Sequence, residues 1–222
     1  MRKQIPSIGL RMLMTRTRLE VFDELQMHLL QDDRPSEYIN RLSEAPEFRE
    51  YPFELLLKLK HTEQSPKYHP EGSVWNHTMM VVDEAAKVRG QSKDEQAFMW
   101  AALLHDIGKP ETTRKRRGKI TSYEHDTKGA LRAEEFLREF TEDEKLIRKV
   151  IALVKYHMHM LYVLKKLPYG NPKRMLEEVD SQEIALLCRC DRLGRKGADH
   201  REEETSYREF ISVISRYRND DL

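Results

Sequence analysis

The sequence has little cysteine, few helix-breaking residues and no alternating strand pattern. Its 222 residues include two cysteines, nine glycines and nine prolines. Cys188 and Cys190 are too close in sequence for an ordinary disulfide, and two thiols are too few for a thiolate metal cage. A disulfide-stapled secreted scaffold is therefore excluded, and a reduced, cytoplasmic location is predicted.

Long apolar runs and an excess of one charge are also missing. No stretch of about 20 residues is free of charged side chains, so no membrane span and no membrane partner are expected. Met1-Arg2-Lys3-Gln4 is basic, but no signal-peptide apolar run follows it. Because 39 Lys and Arg residues face 38 Asp and Glu residues, the net charge is +1. This balance argues against a strongly basic nucleic-acid clamp.

What remains is a sequence of amphipathic helices. Apolar residues make up 39% of the chain and charged residues 35%, and the apolar ones recur at helical spacing. We predict an all-α bundle with a small N-terminal helical extension. The extension is placed in residues 1–66, packed on a main domain of residues 67–222, and residues 61–72 are the most linker-like segment. Its predicted helices are Thr17–Leu30, Ser36–Leu42 and Pro52–Lys60.

Further helices are predicted in the main domain from their caps and apolar stripes. The helix through Leu104 is expected to stop at Gly108 in the left-handed conformation. Thr141 with Glu144 resembles a capping box. The helix that it would start carries an inward stripe of Ile147, Val150, Val154 and Leu161.

Some polar residues share these inward faces. His77, His105, His157 and Asp191 each lie three or four positions from apolar residues of their own helix. Taken singly, each is most simply a hydrogen-bonded core histidine or a salt-bridged aspartate. Taken together, imidazoles and carboxylates that converge in one core are what a divalent transition metal requires, and the ion would offset the cost of burying charge.

The adjacent pair His105-Asp106 is the most specific feature. Neighbouring residues diverge by about 100° in mid-helix. At a last helical turn, however, both side chains can address one ion, and the negative end of the helix favours a cation there.

The ordered set His77, His105-Asp106 and Asp191 resembles the HD superfamily of metal-dependent phosphohydrolases. The wider sequence is similar to the HD domain of bacterial tRNA nucleotidyltransferases, the CCA-adding enzymes, and of their poly(A) polymerase relatives. The similar segments are YHPEGSVWNHTMMVVD (68–83), AALLHDIGKPETT (101–113), YEHDTKGA (123–130), VKYHMH (154–159) and CRCDRLGR (188–195).

The resemblance implies an HD-domain bundle with a metal site. The implied ligands are His77, His105, Asp106 and Asp191, and a possible second ion would be completed by His125 and His157. His159 lies about 200° from His157 on an unbroken helix, so only one can face the metal, and His157 is preferred. One or two divalent ions are expected per chain, chosen from Mn, Ni, Co, Fe, Zn or Mg.

The chemistry expected of such a site is hydrolysis of a phosphate ester by a metal-bound hydroxide. The substrate would be a nucleotide, a phosphomonoester or a 2′,3′-cyclic phosphate. Asp106 would bridge two ions or orient the attacking water. Lys109 resembles the phosphate-contacting lysine of related hydrolases, and Arg195 is a second candidate for the phosphate. Either cation could instead be an ordinary solvated or helix-end side chain.

A basic run forms the main local charge bias and supports an alternative function. It is a loop or a hairpin that is either simply solvated or able to contact RNA, and its members are Arg114, Lys115, Arg116, Arg117 and Lys119. The alternative is a non-catalytic tRNA- or RNA-binding or regulatory module derived from a CCA-adding enzyme. The sequence has no Asp-x-Asp pair and at most about 70 residues before the HD region, so nucleotide addition is not expected.

Overall fold

A computed structural model describes residues 16–219 of the chain. Within them lie twelve α-helices, short 3₁₀ turns and one two-stranded hairpin. In chain order the elements are α1 (Arg18–Gln31), α2 (Pro35–Leu42), α3 (Glu54–Leu57), α4 (Val74–Val88), α5 (Glu95–Leu104), α6 (Lys109–Thr112), β1 (Thr113–Arg116), β2 (Lys119–Ser122), α7 (His125–Arg138), α8 (Glu144–Tyr156), α9 (His159–Leu164), α10 (Pro172–Glu178), α11 (Ser181–Leu193) and α12 (His200–Asn219).

The three predicted N-terminal helices are present. Helix α1 is capped by Thr17, whose hydroxyl accepts a hydrogen bond from the Glu20 backbone N–H while the Glu20 carboxylate accepts one from the Thr17 N–H, as in a capping box. The predicted third helix is divided, because α3 passes into a 3₁₀ turn over Lys58–His61. The start at Met1–Gln4 lies outside the described residues.

The expected left-handed stop at Gly108 is wrong. Helix α5 ends at Leu104, and Gly108 has φ −81° and ψ −14°, in the right-handed region. Glycine is required for space instead. A Cβ atom on Gly108 would lie 2.3 Å from the His125 carbonyl oxygen and 2.4 Å from the Gly129 nitrogen. The absent side chain lets the start of α7 press against the turn that follows α5.

The predicted capping box at Thr141 and Glu144 is also wrong. Helix α8 is capped by Asp143, whose carboxylate accepts hydrogen bonds from the backbone N–H groups of Lys145 and Leu146. The Thr141 hydroxyl accepts a hydrogen bond from the Asp143 N–H instead. A carboxylate next to the helix start is as good a cap as a hydroxyl, so the pattern alone does not choose between them.

The predicted continuous helix through Leu161 is interrupted. Helix α8 ends at Tyr156, His157 and Met158 form the break, and α9 begins at His159.

The basic run is a hairpin, the second of the two predicted alternatives, with Arg116 paired to Lys119 across its tip. The tip residues Arg117 and Gly118 have φ 48° and 76°, as a tight hairpin turn requires.

The core is built around α5, in which every residue from Ala97 to Leu104 is buried. This helix contacts α1, α4, α8 and α11. One continuous cluster of buried apolar side chains includes residues of α1 and α2 as well as those of the later helices. The N-terminal helices thus share the core of the bundle, whereas the boundary at residue 66 stays a prediction. Among residues 16–219, none of the helices combines the length and the apolar composition that a membrane span requires.

Phe22 gives a test of this shared core. Its ring stacks on Trp100 of α5 at 4.6 Å between centroids and on Phe140 at 4.5 Å. We expect Phe22→Ala to lower the free energy of unfolding by about 3–5 kcal/mol, measured by urea denaturation. Leu19→Ala on the same helix is the control. Leu19 is 53% exposed, so its removal is expected to change stability by about 0.5 kcal/mol or less. Equal effects of the two changes would contradict a shared core.

Candidate metal centre

The Asp106 carboxylate lies at the centre of a buried cluster of imidazoles. Its Oδ2 atom is 3.2 Å from Nε2 of His105 and 3.9 Å from Nε2 of His77. Its Oδ1 atom is 3.5 Å from Nε2 of His125 and 3.7 Å from Nε2 of His157. Asp106 is 1% exposed. Four histidines from four helices or their ends thus surround one carboxylate.

Three of these histidines lie where a helix begins or ends. His105 follows the last residue of α5, His157 follows the last residue of α8, and His125 is the first residue of α7. Gly108 holds the start of α7 against the turn after α5, as described above. Helix termini are therefore brought together at Asp106, whereas His77 comes from the first turns of α4.

The same three histidines have their tautomer fixed by the backbone. Each Nδ1 atom faces a carbonyl oxygen, which only accepts hydrogen bonds, so Nδ1 carries the hydrogen and Nε2 presents a lone pair to Asp106. The pairs are His105 with Ala102 O at 2.9 Å, His125 with Ser122 O at 2.6 Å, and His157 with Val154 O at 2.6 Å.

This arrangement places two imidazole nitrogens that both carry lone pairs against each other. The Nε2 atoms of His125 and His157 are 3.2 Å apart, although neither carries a hydrogen to donate. Burial lowers the pKa of His125 to about 4 and also lowers the pKa of His157, so both rings are neutral at pH 7. In the described part of the chain, His105 Nε2 and Asp106 Oδ1 have no hydrogen-bond partner, whereas Asp106 Oδ2 faces the Lys109 ammonium. Converging lone pairs and a carboxylate oxygen without a donor fit a divalent cation.

His77 and Asp191 form a second side of the cluster. His77 Nε2 is 2.9 Å from Asp191 Oδ1, and its Nδ1 is 3.2 Å from both Glu71 Oε1 and the Gly194 carbonyl. Burial alone would lower the pKa of His77, but its hydrogen bonds to two carboxylates raise it. Gly194 allows this contact, since a Cβ there would lie 2.5 Å from Val81 Cγ2 of α4.

His69 and Glu71 belong to the site but were not assigned from the sequence. The Glu71 Oε1 atom is 2.8 Å from His69 Nδ1 and 3.2 Å from His77 Nδ1, and the three side chains form a further group with metal-ligand spacing. Both residues lie in the segment 61–72, which the sequence predicts to be linker-like. The sequence signal that points to them is HPEG (69–72), which lies directly before Ser73, the N-cap of α4.

Two cations lie beside the carboxylates. Lys109 Nζ is 2.7 Å from Asp106 Oδ2 and donates a hydrogen bond to Gln64 Oε1 at 2.7 Å. Burial would raise the pKa of the Asp106 carboxyl, but the Lys109 ammonium and the imidazoles hold it well below its usual value. Arg195 lies 3.5 Å from Asp191 Oδ2, and its Nε atom is buried without a partner among residues 16–219.

A cavity of about 1070 Å³ gives access to the cluster. Its lining includes all but two of the sequence-predicted site residues, namely Asp106, Lys109, His125, His157, Asp191 and Arg195. His77 and His105 lie behind this surface, 0% and 1% exposed. The basic run at residues 114–119 does not line the cavity, and Lys115 forms an exposed ion pair with Glu63 at 3.0 Å.

The chain is similar in sequence to multifunctional CCA proteins. That of Actinobacillus pleuropneumoniae serotype 5b (strain L20) is 28% identical over 149 residues, which cover 63% of this chain and 35% of the relative. That of Acinetobacter baumannii (strain SDF) is 28% identical over 169 residues, covering 72% and 39%. That of Halorhodospira halophila (strain DSM 244 / SL1) is 32% identical over 145 residues, covering 61% and 33%. The chain thus matches less than two fifths of each relative.

The model of a protein family also matches the sequence. Its description is "HD domain", and the match runs over residues 74–196, more than half of the chain. The matched range begins at the first residue of α4 and includes His77, the His105-Asp106 pair and Asp191. On this match, the chain belongs to the HD-domain family.

Proposed function

We propose that the chain is a metal-dependent phosphohydrolase that hydrolyses a phosphate ester. One observation carries the proposal. Three imidazoles present their Nε2 lone pairs to a buried carboxylate whose Oδ1 atom has no hydrogen-bond donor among the described residues. Such a set is costly to bury without a cation, and histidine with aspartate suits Mn, Fe, Co, Ni and Zn. The family and its resemblance to phosphohydrolases supply the reaction class.

The chain offers donors for two ions that share Asp106. His77, His105, Asp106 and Asp191 would hold the first ion. His125 and His157 would hold the second ion together with the other oxygen of Asp106, a group in which the ligand atoms lie within 4.8 Å of one another. When bound, a divalent ion would act as a Lewis acid and lower the pKa of a water, supplying a nucleophile at neutral pH.

The chain's own cations would bind the phosphate. Lys109 is 8% exposed, and Arg195 has a buried Nε–H with no partner in the described chain. Both line the cavity beside the metal ligands. Preorganised donors of this kind stabilise charge that develops on phosphate oxygens. Gln64 holds Lys109 toward the cavity through its Oε1 atom.

The alternative, an RNA-binding module, is favoured by the exposed hairpin. Arg114, Lys115, Arg116, Arg117 and Lys119 are all exposed. A local basic surface attracts RNA even when the net charge is near zero. RNA bound by the hairpin would leave the cavity open, because the hairpin does not line it.

The metal site is tested by Asp106→Asn. We expect the purified wild type to contain bound divalent metal by elemental analysis, and the variant to lose it. Hydrolysis of p-nitrophenyl phosphate with Mn, Ni, Co or Mg added should fall by at least about 100-fold. Asp23→Asn makes the same chemical change at an exposed position of α1 and should alter neither property. Wild-type protein that binds no metal and hydrolyses no ester would refute the proposal.

Lys109→Met tests the phosphate-binding role separately. We expect kcat/KM to fall by about 100- to 1,000-fold, with the metal content retained. Lys128→Met on the exposed face of α7 is the matched control and should hydrolyse esters like the wild type. A Lys109→Met variant with wild-type activity would show that this lysine is only an ordinary helix-end side chain.

The RNA contact is tested by the double change Arg116→Glu and Lys119→Glu. Reversing two exposed charges should weaken tRNA binding in a filter or mobility-shift assay, with the difference shrinking as salt is raised. Hydrolysis of p-nitrophenyl phosphate should stay unchanged. Unaltered tRNA affinity would mean that the hairpin is only solvated.

A further inference from the structure

The cavity extends well beyond the metal cluster. At about 1070 Å³ it is as large as pockets that enclose whole small molecules, about 300–1,000 Å³. A phosphate group with its ions fills only part of that volume. One wall is formed by α9 and the start of α7, where His159 and Asp126 line the cavity. Neither residue has a role in the proposed hydrolysis.

His159 presents a hydrogen-bond donor that has no acceptor. The side chain is buried, with 5% exposed, and its Nε2 accepts a hydrogen bond from the Asn171 backbone N–H at 3.5 Å. The hydrogen therefore resides on Nδ1, which has no partner in residues 16–219. Buried donors without acceptors are rare and costly, so an acceptor from a ligand is indicated.

Asp126 presents acceptors on the same wall. It is 8% exposed and accepts hydrogen bonds from the Thr127 N–H at 2.8 Å and the Tyr162 hydroxyl at 3.2 Å. Burial raises the pKa of Tyr162, which therefore keeps its proton and remains a donor. A carboxylate has about four acceptor sites, so Asp126 can accept a further hydrogen bond. Its negative charge would repel a phosphate, so this wall suits the neutral part of a substrate.

We propose that His159 and Asp126 bind the alcohol part of the phosphate ester. His159 would donate a hydrogen bond to an acceptor of that group, and Asp126 would accept one from a donor close to it. The proposal rests on the phosphohydrolase function above. A vicinal diol of a sugar and the edge of a nucleobase both carry this pair of groups. Tyr169 beside them is 63% exposed, with its ring 5.7 Å from that of Tyr162, and offers a surface for a planar base. These residues would set specificity and would not take part in bond cleavage.

The variant His159→Phe tests the subsite. Phenylalanine keeps the edge-to-face packing on Tyr156, where the ring centroids are 4.7 Å apart, and removes the Nδ1 donor together with the weak 3.5 Å acceptor contact to the Asn171 N–H. The substrates are p-nitrophenyl phosphate, which lacks the pair, ribose 5-phosphate, which has the diol, and thymidine 5′-monophosphate, which has the base edge without the diol. His200→Phe changes an exposed histidine and serves as the control.

We expect His159→Phe to lower kcat/KM by about tenfold, mainly through KM, for the ester that carries the recognised group. Hydrolysis of p-nitrophenyl phosphate should not change. A loss confined to ribose 5-phosphate identifies the diol, and one confined to thymidine 5′-monophosphate identifies the base. An equal loss with all three esters, or none with any, overturns the proposal.

Direct binding separates this inference from the hydrolytic function. Metal-loaded protein is titrated with unphosphorylated ribose and thymidine by calorimetry. Binding that is lost in His159→Phe supports the subsite even if no ester is hydrolysed. Normal hydrolysis with no difference between variant and wild type rejects the subsite and leaves the proposed function standing. If His159→Phe does not fold by thermal melting, Asp126→Asn, which can still accept from Tyr162, must give the same selective loss.

Discussion

The burial of the Asp106 carboxylate is the constraint on which the site depends. An ionised carboxylate removed from water costs several kcal/mol unless positive charge or donors replace the water. Here Lys109 supplies one positive charge, while His105, His125 and His157 direct Nε2 lone pairs toward the carboxylate. Such an arrangement is suited to a divalent cation beside the carboxylate. The electrostatic demand of one residue thus explains why so many polar side chains lie in the middle of an apolar core.

The ends of helices supply the site with unpaired carbonyl groups, which the middle of a helix does not have. The last carbonyl groups of an α-helix have no partner within the helix. In α5 and α8 those of Ala102 and Val154 accept hydrogen bonds from Nδ1 of His105 and His157. The same unpaired carbonyls give these ends a partial negative charge that favours a cation. Interrupting a helix at His157 therefore both orients the imidazole and improves the field at the site.

The errors in the sequence predictions have a common origin. Gly108 was expected to end a helix by its own conformation, but glycine is needed there because α7 approaches so closely. The sequence pattern indicates Thr141 as the cap of α8 and a continuous helix through His157, whereas Asp143 is the cap and the helix ends at Tyr156. Local signals give an element and its approximate place, but its last turn is decided by packing against neighbours. His69 and Glu71 were missed for the same reason, because an irregular segment has no periodicity that reveals which side chains face inward.

The sequence by itself determined the helical class, the N-terminal helices, and the family resemblance on the His77, His105-Asp106 and Asp191 pattern. It could do so because apolar spacing and short motifs are local properties of the chain. Only the tertiary structure decided which lone pairs face Asp106, how far the cavity extends, and that the His159 donor has no partner among residues 16–219. These depend on contacts between distant segments, and no local pattern encodes a distance between two helices.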